Sequence, residues 1–165
     1  MLKKNTGKFE ISGDLKARNR ELSSALSELQ LKIKEQGRPV IIVFEGWEAS
    51  GKGSTIASVI KYLDPRFFKV YSTLPASAEE KRYNFMKRHW NTIPEKGKIS
   101  VMNKSWYSEL SNSFLEGKIS ENEYDERIIS IRNFERQLYD DGYIIIKFFL
   151  NISCDEQKKR MKKLN

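Results

Sequence analysis

The sequence predicts an α/β fold, in which a parallel sheet of at least four strands lies between layers of helices. Short apolar runs alternate with segments of helical periodicity along most of the 165 residues, as in a single domain with a mostly parallel sheet. The first run, residues 40–44, is continuous and rich in β-branched residues, as expected for a strand buried on both faces. A glycine-rich segment joins this run to a second helical segment, so the chain contains a strand–loop–helix unit.

Caps and apolar spacing indicate where the helices lie. The first carries Leu22, Leu26, Leu29 and Ile33 on one stripe and ends before Gly37. Three later helices each begin at a serine followed three residues later by a glutamate, the pattern of a capping box. We predict a flexible lead-in over 1–14 and then a single domain over 15–165. Within this domain the predicted helices are 15–36, 51–63, 77–91 and 120–141, with a last helix from 153 that is still running at 165. The predicted strands are 40–44, 67–71, 99–102 and 143–150. The buried side of the long helix is expected to hold Tyr124, Ile128, Ile131, Phe134 and Leu138.

The composition favours a polyanionic ligand. The net charge is +8, from 30 basic against 22 acidic residues, so nucleic acid, an anionic membrane or an inorganic phosphate chain would all be attracted. The densest basic run, residues 158–163, is interpreted as a solvated helix face. No interleaved aromatic and basic platform is present, and we therefore expect no nucleic-acid partner.

The sequence also favours the cytoplasm. No apolar run approaches the length of a membrane span, and the N-terminal residues lead into no apolar stretch of the kind that a signal peptide needs, so we expect no membrane partner. Cys154 is the one cysteine in the sequence, which excludes an internal disulfide.

The glycine-rich segment contains G-x-x-x-x-G-K, the core of a P-loop, at residues 46–52. Its glycines let successive backbone N–H groups converge on a phosphate, and the following helix adds the positive end of its dipole. Gly53 occupies the place of the usual Ser or Thr, so the strict pattern departs by one residue; the alternative is a strand–helix turn without a ligand. The predicted phosphate-binding residues are Gly46, Trp47, Ala49, Ser50, Gly51, Lys52, Gly53, Ser54 and Thr55.

Glu48 lies inside this loop, where an acid beside phosphates is unfavourable unless it serves a cation. It is a candidate ligand of Mg²⁺ or a group that orients the phosphoryl acceptor. The alternative is a glutamate that simply faces solvent.

The loop and the later segments of the chain resemble the family-2 polyphosphate kinases, which have an aspartate in the place of Glu48. The resemblance covers residues 20–165 and is far more specific than the loop alone. It is carried by residues 46–56, Leu63-Asp64-Pro65-Arg66, Glu79-Glu80, Phe85-Met86-Lys87-Arg88, Trp90, Ile93-Pro94, Gly97, Ser105-Trp106-Tyr107, Asn133-Phe134-Glu135, Leu138, Gly142, Lys147-Phe148-Phe149-Leu150 and Glu156-Gln157.

This resemblance implies a three-layer P-loop kinase fold that moves a phosphoryl group between inorganic polyphosphate and AMP/ADP or a guanine nucleotide, with Mg²⁺. By resemblance, Lys52 and the loop backbone hold phosphates and Arg88 contacts phosphate. Glu48 and Asn103 are the candidate metal ligands. Asn103 and Lys104 stand where the family has the Asp-Arg pair, and they complete the predicted catalytic set. The family also implies a homo-oligomer or part of a two-domain assembly.

Several positions depart from the family. Asn103 brings no negative charge to a metal, and Lys104 lacks the bidentate fork of arginine. Glu109 stands where the family has arginine, and Ser113-Phe114 replace Glu-Arg. The family's lid and closing segment are expected to be absent. Because one phosphate-facing arginine is worth roughly 10³–10⁵ in rate, these changes predict weak turnover.

Two other functions stay open at this level. One is a non-catalytic module that binds phosphate chains or dimerises within a larger polyphosphate kinase. The other is a nucleoside monophosphate kinase, which also uses a Gly-Lys-Gly loop; the Ser105-Trp106-Tyr107 context argues against it.

Overall fold

A computed structural model describes residues 14–163 and confirms the predicted α/β class. Within this range four parallel strands form one sheet in the order β2-β3-β1-β4. The strands are β1 (Val40–Gly46), β2 (Phe68–Ser72), β3 (Ile99–Asn103) and β4 (Ile144–Leu150). The helices are α1 (Leu15–Glu35), α2 (Lys52–Ile60), α3 (Lys87–Trp90), α4 (Trp106–Leu115), α5 (Glu121–Asp140) and α6 (Cys154–Met161), with short 3-10 helices at Pro65–Phe67 and Glu80–Arg82.

The sheet carries a separate hydrophobic cluster on each face. Ile41 and Val43 of β1 pack with the buried sides of α4 and α5, whereas Val40, Ile42 and Phe44 pack with α2 and α1. The first strand is therefore buried on both faces, as its continuous apolar run predicts. The result is three layers, with helices on either side of the sheet.

The buried side of α5 also agrees with the prediction. Ile131, Phe134 and Leu138 are buried, and Tyr124 and Ile128 pack against them. At its start, the N–H of Glu123 donates to Ser120 Oγ at 3.2 Å. The glutamate does not close a capping box, because it pairs instead with Arg127 one turn later, at 2.7 Å.

The apolar stripe predicted for α1 is wrong in part. Leu26 and Ile33 pack on the core, but Leu22 and Leu29 are 57% and 51% exposed. The buried position between the two core residues is Gln30, whose side-chain amide donates to Asp64 O at 3.1 Å and accepts from Asp64 N at 2.7 Å. A polar residue thus occupies the buried face, because it satisfies the backbone of the turn after α2.

The helix predicted over 77–91 is also wrong, because the structure breaks it into a 3-10 turn and the short α3. The capping box itself forms: Glu80 N donates to Ser77 Oγ at 3.1 Å, and Ser77 N donates to the Glu80 carboxylate at 2.8 Å. The break follows at once, since Tyr83 is extended and Asn84 Oδ1 accepts from Met86 N at 2.9 Å. This local side-chain bond competes with helix continuation.

One additional helix and the end of the last helix also differ from the prediction. Helix α4 was not predicted; it begins after Ser105, whose Oγ accepts from Tyr107 N at 3.3 Å. The last helix ends at Met161 rather than running to the end of the sequence. Across residues 14–163, no helix is both long and apolar enough to cross a membrane. The predicted lead-in, except Asp14, lies outside the described residues.

Candidate phosphate-binding site

The candidate site lies at the carboxyl ends of the two central strands. Phe44 of β1 is in register with Asn103 of β3, and Lys104 N donates to Phe44 O at 3.0 Å. The glycine-rich loop therefore leaves β1 beside the residues that come after β3. Ligands of open parallel sheets bind at this edge.

The first position of the loop, Gly46, requires glycine because a side chain would not fit there. Its φ is +139°, and a β-carbon would lie 2.3 Å from the carbonyl oxygen of Leu150 on β4. Gly51, with φ +95°, makes the left-handed turn into α2. Ala49 also adopts a left-handed conformation, with φ +58°, which is strained for a residue with a β-carbon. Gly53 is not required by contacts, since a β-carbon there would meet no atom within 4 Å.

Lys52 is buried at the start of α2 and holds the loop together. Its Nζ donates to the carbonyl oxygens of Gly46 and Trp47, each at 2.9 Å. Burial lowers the pKa of the Lys52 ammonium, and the carboxylates of Glu48 and Glu45 oppose this shift in part. A phosphate in the loop would offer this cation negatively charged acceptors in place of two neutral carbonyls.

The rest of the predicted phosphate-binding residues lie on the loop or the first turn of α2. Ser50 N donates to Trp47 O at 3.1 Å, which closes a turn, and Ser50 Oγ is buried without a hydrogen-bond partner among the described residues. Thr55 Oγ1 donates to Gly51 O at 3.0 Å. Ser54 is exposed. The predicted residues thus lie together between the end of β1 and the first turn of α2, and their role in binding phosphate stays a prediction.

Glu48 pairs with Lys104 across the site, at 3.3 Å between Oε2 and Nζ. The glutamate is 67% exposed, so the pair is largely solvated. Lys104 adopts a left-handed conformation, with φ +64°, at the end of β3, and its carbonyl accepts from Thr73 Oγ1 at 3.1 Å. The structure therefore brings together three of the predicted catalytic residues: Glu48, Lys52 and Lys104.

Asn103 has chemistry that suits a metal ligand. Its Oδ1 is buried and has no hydrogen-bond partner within residues 14–163, while its Nδ2 donates to Ser72 Oγ at 3.5 Å. With the carboxylate of Glu48 it offers two oxygen donors, and Mg²⁺ commonly takes one or two from the protein and the rest from phosphate and water. No group of three or more His, Cys, Asp or Glu suited to a metal occurs in the part of the chain that is described.

Arg88 lies apart from the loop, on the wall of a cavity of about 670 Å³ that Lys104 also lines. Its guanidinium faces two carboxylates, at 3.4 Å from Glu80 and 3.7 Å from Glu109. Glu109 also accepts a hydrogen bond from Nε2 of the buried His89 at 2.9 Å. The residue predicted to contact phosphate thus has two carboxylates beside it, although its Nη1 is buried without a hydrogen-bond partner among the described residues.

Glu45, the last residue before the loop, was not among the predicted site residues. Its carboxylate accepts from Ser105 N at 2.8 Å, from Ser105 Oγ at 2.6 Å and from Ser108 Oγ. It therefore ties the phosphate loop to the start of α4. An acidic residue at the end of an apolar strand is a signal that would have singled it out.

Three more residues at the loop were not predicted, because they lie more than 100 residues away from it in the sequence. Asn151 accepts from Trp47 Nε1 at 2.8 Å, and Gln157 and Arg160 of α6 bond to loop carbonyls. Arg160 belongs to the basic run interpreted as a solvated helix face, and that interpretation is wrong for this residue.

The Ser105-Trp106-Tyr107 segment at the start of α4 is bonded to α5 and β4 through Glu135. Glu135 of α5 accepts from Trp106 Nε1 at 3.1 Å and from Tyr107 OH at 2.8 Å, and Lys147 of β4 donates to it at 2.5 Å. Burial raises the pKa of the Tyr107 hydroxyl. Burial opposes the charge of Lys147, but hydrogen bonds to Glu135 and Tyr107 outweigh it and raise the pKa of Lys147.

Comparison with known proteins places the chain among the polyphosphate kinase 2 proteins. The family model for polyphosphate kinase 2 matches residues 11–165. A polyphosphate:AMP phosphotransferase of Pseudomonas aeruginosa is 38% identical over 145 residues, which are 87% of this chain and 29% of that protein. An ADP-polyphosphate phosphotransferase of Rhodopseudomonas palustris is 34% identical over 148 residues, covering 82% and 51% of the two chains.

The fold agrees with a solved structure. The crystal structure of polyphosphate kinase 2 from Arthrobacter aurescens TC1 superposes with a TM-score of 0.84 at 29% identity, over 92% of this chain and 56% of that one. The chain thus spans between about a third and a little over half of the proteins that it matches.

Proposed function

Because the chain belongs to the polyphosphate kinase 2 family, we propose that it transfers a phosphoryl group between inorganic polyphosphate and a nucleoside mono- or diphosphate. The observation that carries this proposal is the buried Lys52 inside a P-loop at the carboxyl edge of a parallel sheet. Names of relatives point to AMP and ADP as acceptors. The guanine nucleotides expected from the resemblance stay among the candidates.

In this proposal the loop residues and Lys52 hold one phosphate chain, and the cavity beside the loop takes the second. Lys104 lines that cavity and pairs with Glu48 of the loop, so it lies between the two. Its ammonium and the guanidinium of Arg88 are the cations that would face the transferred group. Phosphoryl transfer needs mainly such positioning and charge compensation.

We propose that Glu48 and Asn103 hold Mg²⁺, with phosphate oxygens completing its coordination. The buried, unpartnered Oδ1 of Asn103 supports this assignment, as does the oxygen character of both donors. When bound, a divalent cation offsets negative charge on the phosphoryl oxygens. Lys104 competes for the Glu48 carboxylate, and this competition weakens the metal site.

We propose that turnover is slow. Arg88 is paired with Glu80 and Glu109, and one of the two metal ligands is an uncharged amide. These same observations favour a second candidate, a non-catalytic domain that binds phosphate chains as a homo-oligomer or within a two-domain assembly. The relatives support both candidates over a nucleoside monophosphate kinase, because their names specify polyphosphate.

A transfer assay tests this proposal. The purified chain is incubated with polyphosphate, Mg²⁺ and AMP, ADP, GMP or GDP in turn, and products are resolved by chromatography. We expect slow formation of nucleoside di- or triphosphate, lost on chelation of the metal and in Lys52→Met. Lys61→Met, which removes an exposed charge just after the same helix, serves as the matched control.

The double variant Asn103→Asp/Lys104→Arg separates the two candidates. It should strengthen Mg²⁺-dependent nucleotide binding but recover little turnover, because Glu109 still neutralises Arg88. No transfer by parent or double variant, with binding of phosphate chains intact, would favour the binding domain. Measurable transfer that is equal in the parent and in Lys52→Met would contradict the binding domain and would place the transfer site outside this loop.

A further inference from the structure

The outer side of the phosphate loop is covered by α6. Gln157 Nε2 donates to Glu48 O at 3.1 Å, and Arg160 Nη1 donates to Ser50 O at 3.2 Å and Ala49 O at 3.4 Å. Two side chains one turn apart on one helix therefore engage three consecutive carbonyl groups of the loop. The loop and the helix are more than 100 residues apart in sequence.

These contacts determine which way the loop's N–H groups point. In a trans peptide the C=O of one residue and the N–H of the next lie on opposite sides, and no peptide bond in the described chain is cis. Carbonyls of residues 48–50 that point toward α6 therefore turn the N–H groups of residues 49–51 away from it. That is the side on which a P-loop binds phosphate.

The same contacts stabilise a strained backbone. Ala49 is held in a left-handed conformation, φ +58°, which persists only where neighbouring groups enforce it. Arg160 bonds to the carbonyls of this residue and the next. Its guanidinium also lies 3.6 Å from where a β-carbon of Gly51 would be, so it packs over the turn into α2.

Arg160 is itself fixed before it reaches the loop. Its Nε donates to Glu156 Oε1 at 2.6 Å, one turn earlier on α6, and that hydrogen bond lowers the pKa of the Glu156 carboxyl. The backbone N–H of Glu156 is in turn capped by Ser153 Oγ at 3.2 Å. One edge of the planar guanidinium is thus anchored, and the other is directed at the loop.

We propose that Arg160, assisted by Gln157, is a positioning residue that holds the phosphate loop with its carbonyls outward and its N–H groups toward the phosphate. Hydrogen bonds from a cation to the carbonyls also polarise the peptides, which makes their N–H groups better donors. The inference rests on the proposed function only for the nature of the ligand, a phosphate chain.

The test compares Arg160→Gln with Lys158→Gln, which removes the same charge from an exposed position of the same helix. Amide hydrogen exchange is measured on the ligand-free chain, and tripolyphosphate affinity is measured by isothermal titration. In Arg160→Gln we expect exchange across residues 48–52 to rise at least threefold and affinity to fall about tenfold. In Lys158→Gln we expect unchanged loop exchange and less than a threefold loss of affinity at low salt. Arg160→Lys should be intermediate, because it keeps the charge without the fork.

The outcomes separate this inference from the proposed function. Faster loop exchange in Arg160→Gln alone supports the inference, even if the parent binds no tripolyphosphate, a result that would contradict only the function. Equal behaviour of the two glutamine variants would overturn the inference. So would a selective loss of affinity without faster exchange, because Arg160 would then be a direct phosphate ligand. If Arg160→Gln does not fold, Gln157→Met provides the same comparison.

Discussion

Glu109 lies 3.7 Å from the guanidinium of Arg88, so its carboxylate competes with any anionic ligand for that charge. The two side chains are 16% and 14% exposed, so their attraction is screened less than that of a surface pair. Glu109 is further held by the buried His89, which keeps the carboxylate in place. At the residue scale, we therefore expect Glu109, together with Glu80, to reduce the attraction of Arg88 for a phosphate in the cavity.

Glu109→Gln should raise tripolyphosphate affinity about fivefold, roughly 1 kcal/mol, because Arg88 loses a competing negative charge. The amide can still bond to His89, so the fold should be preserved. Isothermal titration at low and high salt measures the change. Glu79→Gln is the control, since Glu79 is exposed, lines the same cavity and, within residues 14–163, forms no ion pair with Arg88. An equal gain in tripolyphosphate affinity in both variants would mean that the affinity depends on net charge and not on the pairing of Glu109 with Arg88.

At the scale of elements, α4, α5 and β4 are joined by one network around Glu135. Its carboxylate accepts from Trp106, Tyr107 and Lys147, which come from α4 and β4. The network fixes α4 against the core, and Glu45 in turn ties the start of α4 to the phosphate loop. The stability of these helices thus affects the geometry of the site.

This network predicts a loss of stability at alkaline pH. The pKa values of Lys147 and Tyr107 are both raised above their ordinary 10.5 and 10.0. A raised folded-state pKa gives stability that is fully present below the unfolded-state value and is lost as pH rises through the folded-state value. Urea denaturation from pH 7 to 11 should therefore show a steady free energy of unfolding up to about pH 10 and a decline above it.

Glu135→Gln should reduce the free energy of unfolding by about 2 kcal/mol at neutral pH, because a partly buried acceptor of charged and neutral donors is weakened. It should also make the alkaline decline shallower, since Lys147 no longer has its anionic partner. Glu126→Gln, at an exposed position of the same helix, should keep the profile of the parent. An unchanged profile in Glu135→Gln would show that the alkaline decline has another source.

At the scale of the whole molecule, the sequence predicted the features that depend on local pattern. The buried β1, the serine caps and the glycine-rich turn between β1 and α2 all depend on neighbouring residues, and all are observed. The break at Asn84 was not predictable from periodicity, because one side-chain hydrogen bond outweighs it. Helix α4 was missed because its buried residues, Trp106 and Leu110, span a single turn. The contact of Arg160 depends on tertiary packing alone.

The measurement that most directly tests whether residues 46–55 form the phosphate site is isothermal titration of tripolyphosphate into the parent, Lys52→Met and Lys61→Met. Both variants remove one positive charge at or beside α2, but only Lys52 reaches the loop. We predict binding by the parent that weakens with salt, at least a tenfold loss in Lys52→Met and at most a twofold loss in Lys61→Met. Equal affinity of Lys52→Met and Lys61→Met would place the phosphate site elsewhere and contradict this account.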